Sequence, residues 1–326
     1  MLKFPKPTVE QFFRTYVISD FAVSEDEKRL VFNTNLNGKM NLWAMDLPDN
    51  FPYLFAQKDQ STNFIKFDPK GRYVLAGYDD DGDENYQIYA IPSEGGMPQE
   101  LITGDPSEKF YFAHLSDDGK RIYYITSEGN PNFLNTRVRN LEDNSDTLIH
   151  VGEIGPTYLA AVSEKEDVFV YMRLLANTYI QLFVKDQDRT IYLTPDAEKV
   201  HVASNPIFIG EKEIYFTTNY EQEYSYIAKY NLDSNQFEKV LSIENESIEQ
   251  LKYDKKHHLL YFATEKGVED VLYRYDLNEG KLEKLSAPVD VFEKLVVTKK
   301  GNLYLLGRSA TVPFNLFKST DGSNWE

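Results

Sequence analysis

Apolar and polar positions follow one pattern that returns along the whole chain. A short apolar run, a tight polar turn and a second apolar run rich in Tyr, Phe and Val read as Phe21-Ala-Val, Ser24-Glu-Asp-Glu-Lys28, Arg29-Leu-Val-Phe32. The pattern recurs around Asp68-Pro-Lys-Gly71 and around Ser116-Asp-Asp-Gly119, with weaker copies turning at Ser163, Gly210, Asp254 and Thr298. Successive turn positions are 44, 48, 47, 47, 44 and 44 residues apart. Several short strands per unit at such a period are the sequence signature of a β-propeller. The expectation is an all-β fold of seven four-stranded blades.

Within a unit the runs divide into four strands. The second unit predicts strands over 64–67, 73–78, 86–91 and 100–103. The fifth predicts 206–209, 213–218, 224–232 and 237–243, and the sixth 249–253, 259–264, 271–277 and 282–285. Hairpin chemistry separates them at Pro69-Lys-Gly71, Asp117-Asp-Gly119 and Asn278-Glu-Gly280. Only residues 8–15 read as helix, with Thr8 as N-cap and Gln11 as its reciprocal partner. Residues 1–18 are thus a lead carrying a short helix, and 19–326 the propeller. The seventh unit stops early: Phe314-Asn-Leu-Phe-Lys318 reads as its third strand, and Trp325 begins a fourth. An incomplete last blade exposes a strand edge. Two accounts stay open, either closure of the ring by residues 15–19 or a chain cut from something longer.

Composition narrows the partners. There are 35 Lys and Arg against 52 Asp and Glu, a formal net charge of −17. Such a surface repels phosphates, so neither nucleic acid nor an anionic membrane is expected as a partner. Cysteine is absent, which removes disulfides, thiolate chemistry and Cys-held metals. The first residues lack the apolar stretch of a signal peptide, and no window has the length of a spanning helix. A cytoplasmic protein is the expectation.

Candidate chemistry is sparse, and no catalytic residue, metal ligand or cofactor site is assigned. No Gly-x-Ser-x-Gly occurs, and Gly307-Arg-Ser-Ala-Thr311 lacks the second glycine. The five His are scattered, and His257-His258 reads as a solvated pair in a turn. Asp79-Asp-Asp-Gly-Asp-Glu-Asn85 offers oxygen ligands around a glycine, yet lacks the twelfth-position Glu of an EF-hand loop and reads better as a solvated hairpin loop. Gly95-Gly96 is a lone doublet and no phosphate cradle. Tyr220-Glu-Gln-Glu-Tyr-Ser-Tyr226 is best explained by packing. Ser319-Thr-Asp-Gly-Ser-Asn-Trp325 resembles the Asp-box turn of sialidase-type propellers, one residue short.

The second unit carries a longer likeness. Asp68-Pro-Lys-Gly-Arg-Tyr73, Asp80-Asp-Gly-Asp-Glu-Asn-Tyr86 and Gly95-Gly-Met-Pro-Gln-Glu-Leu-Ile-Thr103 resemble the propeller of the prolyl oligopeptidase family of serine peptidases, in its acylaminoacyl-peptidase-like branch. The turn at Ser24 resembles the same family, with Glu27 where Gly is usual. The resemblance implies a lid and size filter over an α/β-hydrolase domain that follows the propeller and carries Ser, Asp and His. It implies that Glu84, flanked by Asp83 and Asn85, points at that domain and at peptide substrates, contacting an Arg or a substrate's amino end. Peptide substrate and the hydrolase domain are therefore the expected partners, and the hydrolase is absent from this chain. Two other classes remain open. One is a stand-alone TolB-like propeller binding protein or peptide, which would need residues 15–19 as the missing outer strand. The other is a propeller lyase or glycosidase, which would need His or Asp converging on the axis, where the first strands read as mainly apolar.

Overall fold

Each turn of the repeat is built the same way, which is why the repeat is visible in the sequence. Ser24 Oγ accepts the backbone N–H groups of Lys28 and Arg29 at 3.2 and 3.0 Å. Ser116 Oγ does so for Lys120 and Arg121, and Ser163 Oγ for Asp167 and Val168. Asp68, Asp254 and Thr298 supply the oxygen in three further turns. A side-chain oxygen at the turn's first residue satisfies amides that the hairpin would otherwise orphan. Only the fifth turn differs, with Gly210 in the left-handed region at φ +68°.

In the computed structural model the described residues are 3–49, 51–186 and 189–326, without the side chains of Phe12 and Phe13. They form seven antiparallel sheets in chain order, over 18–56, 65–102, 110–151, 157–192, 203–241, 247–284 and 291–319. Six have four strands and the seventh has three. We call them blades 1 to 7. First strands lie against one another between blades 1 and 2 and from blade 3 through blade 7, and so form the inner ring. Because neighbouring strands run antiparallel, all first-to-second-strand turns lie on one face, the turn face. Loops between second and third strands, and the connectors between blades, lie on the opposite face.

The core fills the spaces between blades. Val31, Leu42 and Phe55 of blade 1 pack with Val74, Tyr78 and Ile91 of blade 2. Blades 7 and 1 meet through Tyr304 and Leu306 against Phe21, Leu30 and Phe32. Burying each such side chain is worth roughly 1.5–3 kcal/mol, so every blade interface carries a sizeable share of the stability. Gly307 sits where a Cβ would meet the Val291 carbonyl oxygen at 2.5 Å, a packing reason for that glycine. The expected strands of units two, five and six are all present, with bounds moved by one to two residues at most ends, as for Gln87–Pro92 and Tyr226–Asn231.

The ring closes without a strand from the N-terminus. Ile18 opens the first strand of blade 1 and pairs with Thr34, so residues 15–19 do not complete blade 7. Side chains make the closure instead. Lys294 Nζ donates to Asp20 Oδ1 at 2.6 Å and to the Phe21 carbonyl at 2.8 Å, Lys300 Nζ donates to the Asp26 carbonyl at 2.7 Å, and Asn302 Nδ2 donates to Glu27 Oε2 at 2.6 Å. After the third strand of blade 7 (Asn315–Ser319), Asp321 gathers the amides of Ser323 and Asn324, and Glu326 exchanges two 2.9 Å backbone bonds with Lys318. That turn holds the Asp321 carboxyl far below the usual range.

Three local expectations need correction. The helix is Val9–Phe13, shorter than 8–15, although Thr8 N does donate to Gln11 Oε1 at 2.8 Å. The His pair is not simply solvated: His257 Nδ1 lies 2.6 Å from Asp254 Oδ2, and His258 Nδ1 lies 2.8 Å from the Tyr253 hydroxyl. The first strands are also not mainly apolar on their inner side, where lysines and a histidine line the axis.

Candidate functional site: the axial channel and its two rims

Alternation along the first strands puts one set of side chains between blades and the other toward the axis. In Ile65–Phe67, both Ile65 and Phe67 are buried and Lys66 between them is not. Lys66, His114 and Lys252 each stand two residues before the turn residue of their blades. They therefore occupy one level of the inner ring, on blades 2, 3 and 6. Lys294 stands four before its turn, at the level of Asp20, and the two form the ion pair of the ring closure. Lys66 keeps solvent access, yet the surrounding protein desolvates its ammonium and holds it below the usual lysine range. Burial and then the charge of Lys294 lower Lys252 likewise. A side chain that keeps solvent access while closely surrounded by protein fits a place on the inner ring.

The turn-face rim is charged by position. The residue after each turn residue is Glu25, Pro69, Asp117, Glu164, Glu211, Lys255 and Lys299 in blades 1 to 7. Lys299 reaches Glu25 at 3.3 Å and Asp117 at 3.4 Å, joining blade 7 to blades 1 and 3. Lys255 of blade 6 reaches Glu164 of blade 4 at 2.5 Å. Pairs between non-adjacent blades span the opening, so this rim is held shut by side chains.

On the opposite face stands the hairpin loop of blade 2. Asp83 Oδ1 accepts the amides of Asn85 at 2.9 Å and Asp80 at 3.2 Å, and its other oxygen accepts Asn85 Nδ2 at 2.9 Å. Asp79 accepts the Glu84 amide. These bonds spend the carboxylates of Asp79 and Asp83 on folding the loop, and Glu84 sits at φ +61°. Glu84's own carboxylate is exposed and makes no hydrogen bond or ion pair among the described residues. The candidates thus separate: Asp83 and Asn85 shape the loop, and Glu84 is presented by it.

Sequence reasoning missed what lies beside Glu84. Tyr86 and Tyr111 have ring centroids 6.1 Å apart, and Tyr111 and Tyr158 6.2 Å. All three are half-buried, and together they run from blade 2 to blade 4. Burial raises the Tyr86 and Tyr111 hydroxyls, with the negative charge of Glu84 adding to it. A carboxylate beside a row of aromatic faces suits an amine or ammonium group. The signal was available in the alternation of Phe110–Leu115 and Thr157–Val162, which turns Tyr111 and Tyr158 away from the fully buried positions of their strands.

No nucleophile elbow occurs in the sequence. Among the described residues no three His, Asp or Glu side chains gather in a metal-holding arrangement. Among the described residues no helix is long and apolar enough to cross a membrane.

No family model matches the chain, and no curated protein matches its sequence. Solved structures do match. A prolyl endopeptidase, from work on inter-domain dynamics in catalysis and specificity, superposes with a TM-score of 0.74 at 13% identity, over 96% of this chain and 50% of that one. A puromycin-hydrolyzing peptidase of Mycobacterium tuberculosis gives 0.72 at 12%, over 95% and 52%. An oligogalacturonate lyase in complex with manganese gives 0.67 at 10%, over 91% and 87%. The chain therefore spans about half the length of the two peptidases, and what it matches in them is the propeller. At these identities the shared property is the fold alone, a β-propeller; in this chain the described residues form seven blades, the last with three strands.

Proposed function

We propose that this chain is the non-catalytic propeller of a prolyl-oligopeptidase-type serine peptidase of the acylaminoacyl-peptidase-like branch, gating and orienting peptides for an α/β-hydrolase domain in a cytoplasmic enzyme. The observation that carries it is the asymmetric channel: an ion-paired rim on the turn face, and an acidic, aromatic site on the other. A folded protein cannot enter an opening spanned by Lys299 and Lys255 pairs, whereas an extended peptide needs only side chains to move. Glu84, with Tyr86 and Tyr111 beside it, then receives a peptide's amino end, where a carboxylate–ammonium contact is charge-assisted.

The test is peptide binding to the purified chain, followed by fluorescence anisotropy with a free and an N-acetylated version of one short peptide. The reading expects the free amine to bind more tightly, and Glu84→Gln to erase the difference. Equal binding of both peptides removes the orienting role of Glu84. A second reading has its own support. The match to the lyase covers most of that protein, so this architecture also makes up nearly a whole chain. On that reading the propeller is a TolB-like module that binds a peptide or protein without a hydrolase.

A further inference from the structure

In six blades the outer strand closes the gap to the next blade with an apolar side chain. Phe55, Ile102, Ile149, Ile191 and Leu241 do so from the fourth strands of blades 1 to 5, and Leu285 from just after that of blade 6. Blade 7 supplies no such side chain among the described residues, and the corresponding space is open. A groove of about 380 Å³ lies there, walled by Leu30, Phe32 and Met45 of blade 1 and by Tyr304, Leu316 and Phe317 of blade 7. An apolar cavity of ~150 Å³ already admits benzene, so this groove has room for more than one large apolar side chain. The buried hydroxyl of Tyr304 has no hydrogen-bond partner among the described residues.

The backbone beside the groove is open as well. Glu326 exchanges both its backbone bonds with Lys318, the pattern of an antiparallel pair. By the alternation of such a ladder, the next outward-facing amide and carbonyl on this edge belong to Leu316. That amide donates to the side chain of its own neighbour, Asn315 Oδ1, at 3.0 Å, where a fourth strand would take it. Leu316 packs toward blade 1, and Phe317 toward blade 6. Side chains opposite one another on paired strands share a face, so a residue paired with Leu316 projects into the groove. The residues before and after it project away.

We propose that this edge is a strand-addition site for an extended segment of a partner protein. The segment runs antiparallel to Asn315–Ser319, beginning where Glu326 stops, and carries apolar side chains at alternate positions. Three features of one edge define that chemistry: an amide without a strand, a groove that lacks what the other six blades supply, and a register set by Glu326. The same edge of a second copy brings only another groove, with nothing to fill this one. The site lies at the outer edge of blade 7, apart from the channel, and does not depend on the gating reading.

The probe is a fluorescently labelled peptide, Lys-Val-Thr-Leu-Thr-Val-Lys, titrated with the purified chain and followed by anisotropy. The control, Lys-Val-Leu-Val-Thr-Thr-Lys, has the same composition without the alternation. Saturable binding of the first is expected, with the second weaker by about tenfold or more. N-methylation of the central Leu, whose N–H faces the edge, should weaken binding about tenfold or more, and N-methylation of a Thr, whose N–H faces away, less than about twofold. That comparison uses the unmodified chain and holds whether or not a variant folds. Met45→Lys in the groove should also weaken binding about tenfold or more, and Val268→Lys in an exposed turn of blade 6 should leave it unchanged. No saturable binding, equal binding of the two peptides, or equal effects of the two N-methyl groups overturns the proposal. So does a dimer in sedimentation velocity that Met45→Lys dissociates, with no peptide bound, which gives the edge to a second copy. If the coding sequence runs on past Glu326, an extended chain that no longer binds the peptide gives the groove to the chain itself and overturns the partner.

Discussion

Asn302 of blade 7 donates a 2.6 Å hydrogen bond to the carboxylate of Glu27 in blade 1, joining residues 275 apart in sequence. Glu27 stands where the equivalent turns of blades 2 and 3 have Gly71 and Gly119, and it takes up the same left-handed backbone, at φ +58°. A left-handed conformation costs about 1–2 kcal/mol for a residue with a Cβ. The side chain must therefore return something that glycine cannot, and the latch between the last and first blades is that return. Glu166 repeats the device at φ +58°, accepting from the Tyr123 hydroxyl at 2.6 Å and from Arg121 at 2.8 Å across blades 3 and 4.

Removing the donor leaves the half-buried Glu27 carboxylate without that partner. Asn302→Ala is expected to lower stability by about 1.5–3 kcal/mol, the range for a hydrogen bond to a charged group. Glu27→Gly, which also relieves the backbone, should cost less. Urea unfolding of the two variants checks the order; Asn302→Ala without effect would mean that packing alone closes the ring.

Arg72 ties blade 2 to blade 3. Its guanidinium meets Asp68 at 2.8 and 2.7 Å and donates to the Gly119 carbonyl at 2.7 Å, while the Asp68 side chain is fully buried. Arg72 is exposed, and without its guanidinium the buried Asp68 carboxylate keeps only the amides of residues 70 and 72, so Arg72→Ala should destabilise by about 1.5–3 kcal/mol. Arg72→Lys should recover only part, because a lysine cannot make the two-pronged contact. Thermal denaturation of both variants reads this directly.

His150 gives the fold an acid limit. Its ring centroid lies 4.3 Å from that of Tyr171, the planes tilted by 34°, and 6.0 Å from Phe183, and burial, with Lys185 and Arg173 adding repulsion against a weaker pull from Glu153, lowers its pKa to about 4. An unfolded histidine titrates near 6.5, so the native state prefers the neutral ring. Its contribution is fully present above pH 6.5 and is lost as pH falls toward 4, by roughly 3 kcal/mol across that window. Among the described residues Nε2 has no hydrogen-bond partner, so a phenylalanine can fill the site without leaving a polar neighbour unpaired. His150→Phe should flatten stability between pH 6.5 and 4, and unfolding curves at those two pH values test it.

The turn-face rim is held by exposed pairs, which are worth little to stability and much to access. Lys299→Ala should change the melting temperature by no more than a degree or two, since exposed pairs contribute about 0–1 kcal/mol. It should instead let a small amine-reactive reagent reach Lys66 faster, as should 0.5 M salt on the unaltered chain. Peptide mass mapping of the acylated lysines measures this. Unchanged labelling of Lys66 in both cases would mean that the rim does not control entry.

The blades were legible because every hairpin needs an oxygen or a glycine at one fixed place, and Ser24, Asp68, Ser116 and Gly210 supply it. The channel was not. Lys66 in Phe64-Ile-Lys-Phe reads as the outward residue of a half-buried strand, and alternation alone does not say whether that side faces bulk water or an enclosed axis. His257 reads as solvated until the chain folds back and Asp254, three residues earlier, meets its ring. The closure between Glu27 and Asn302 joins the two ends of the repeat, where no local pattern connects them. Glu84 stands out by its loop, while its aromatic neighbours Tyr111 and Tyr158 come from two other blades.

The central claim is that this propeller serves a hydrolase. Reading the coding sequence downstream of Glu326 tests it most directly. The account predicts an open frame that continues into a domain with Gly-x-Ser-x-Gly and downstream Asp and His. A stop codon at that point, with no such domain encoded beyond it, would contradict the account and leave the stand-alone binding module.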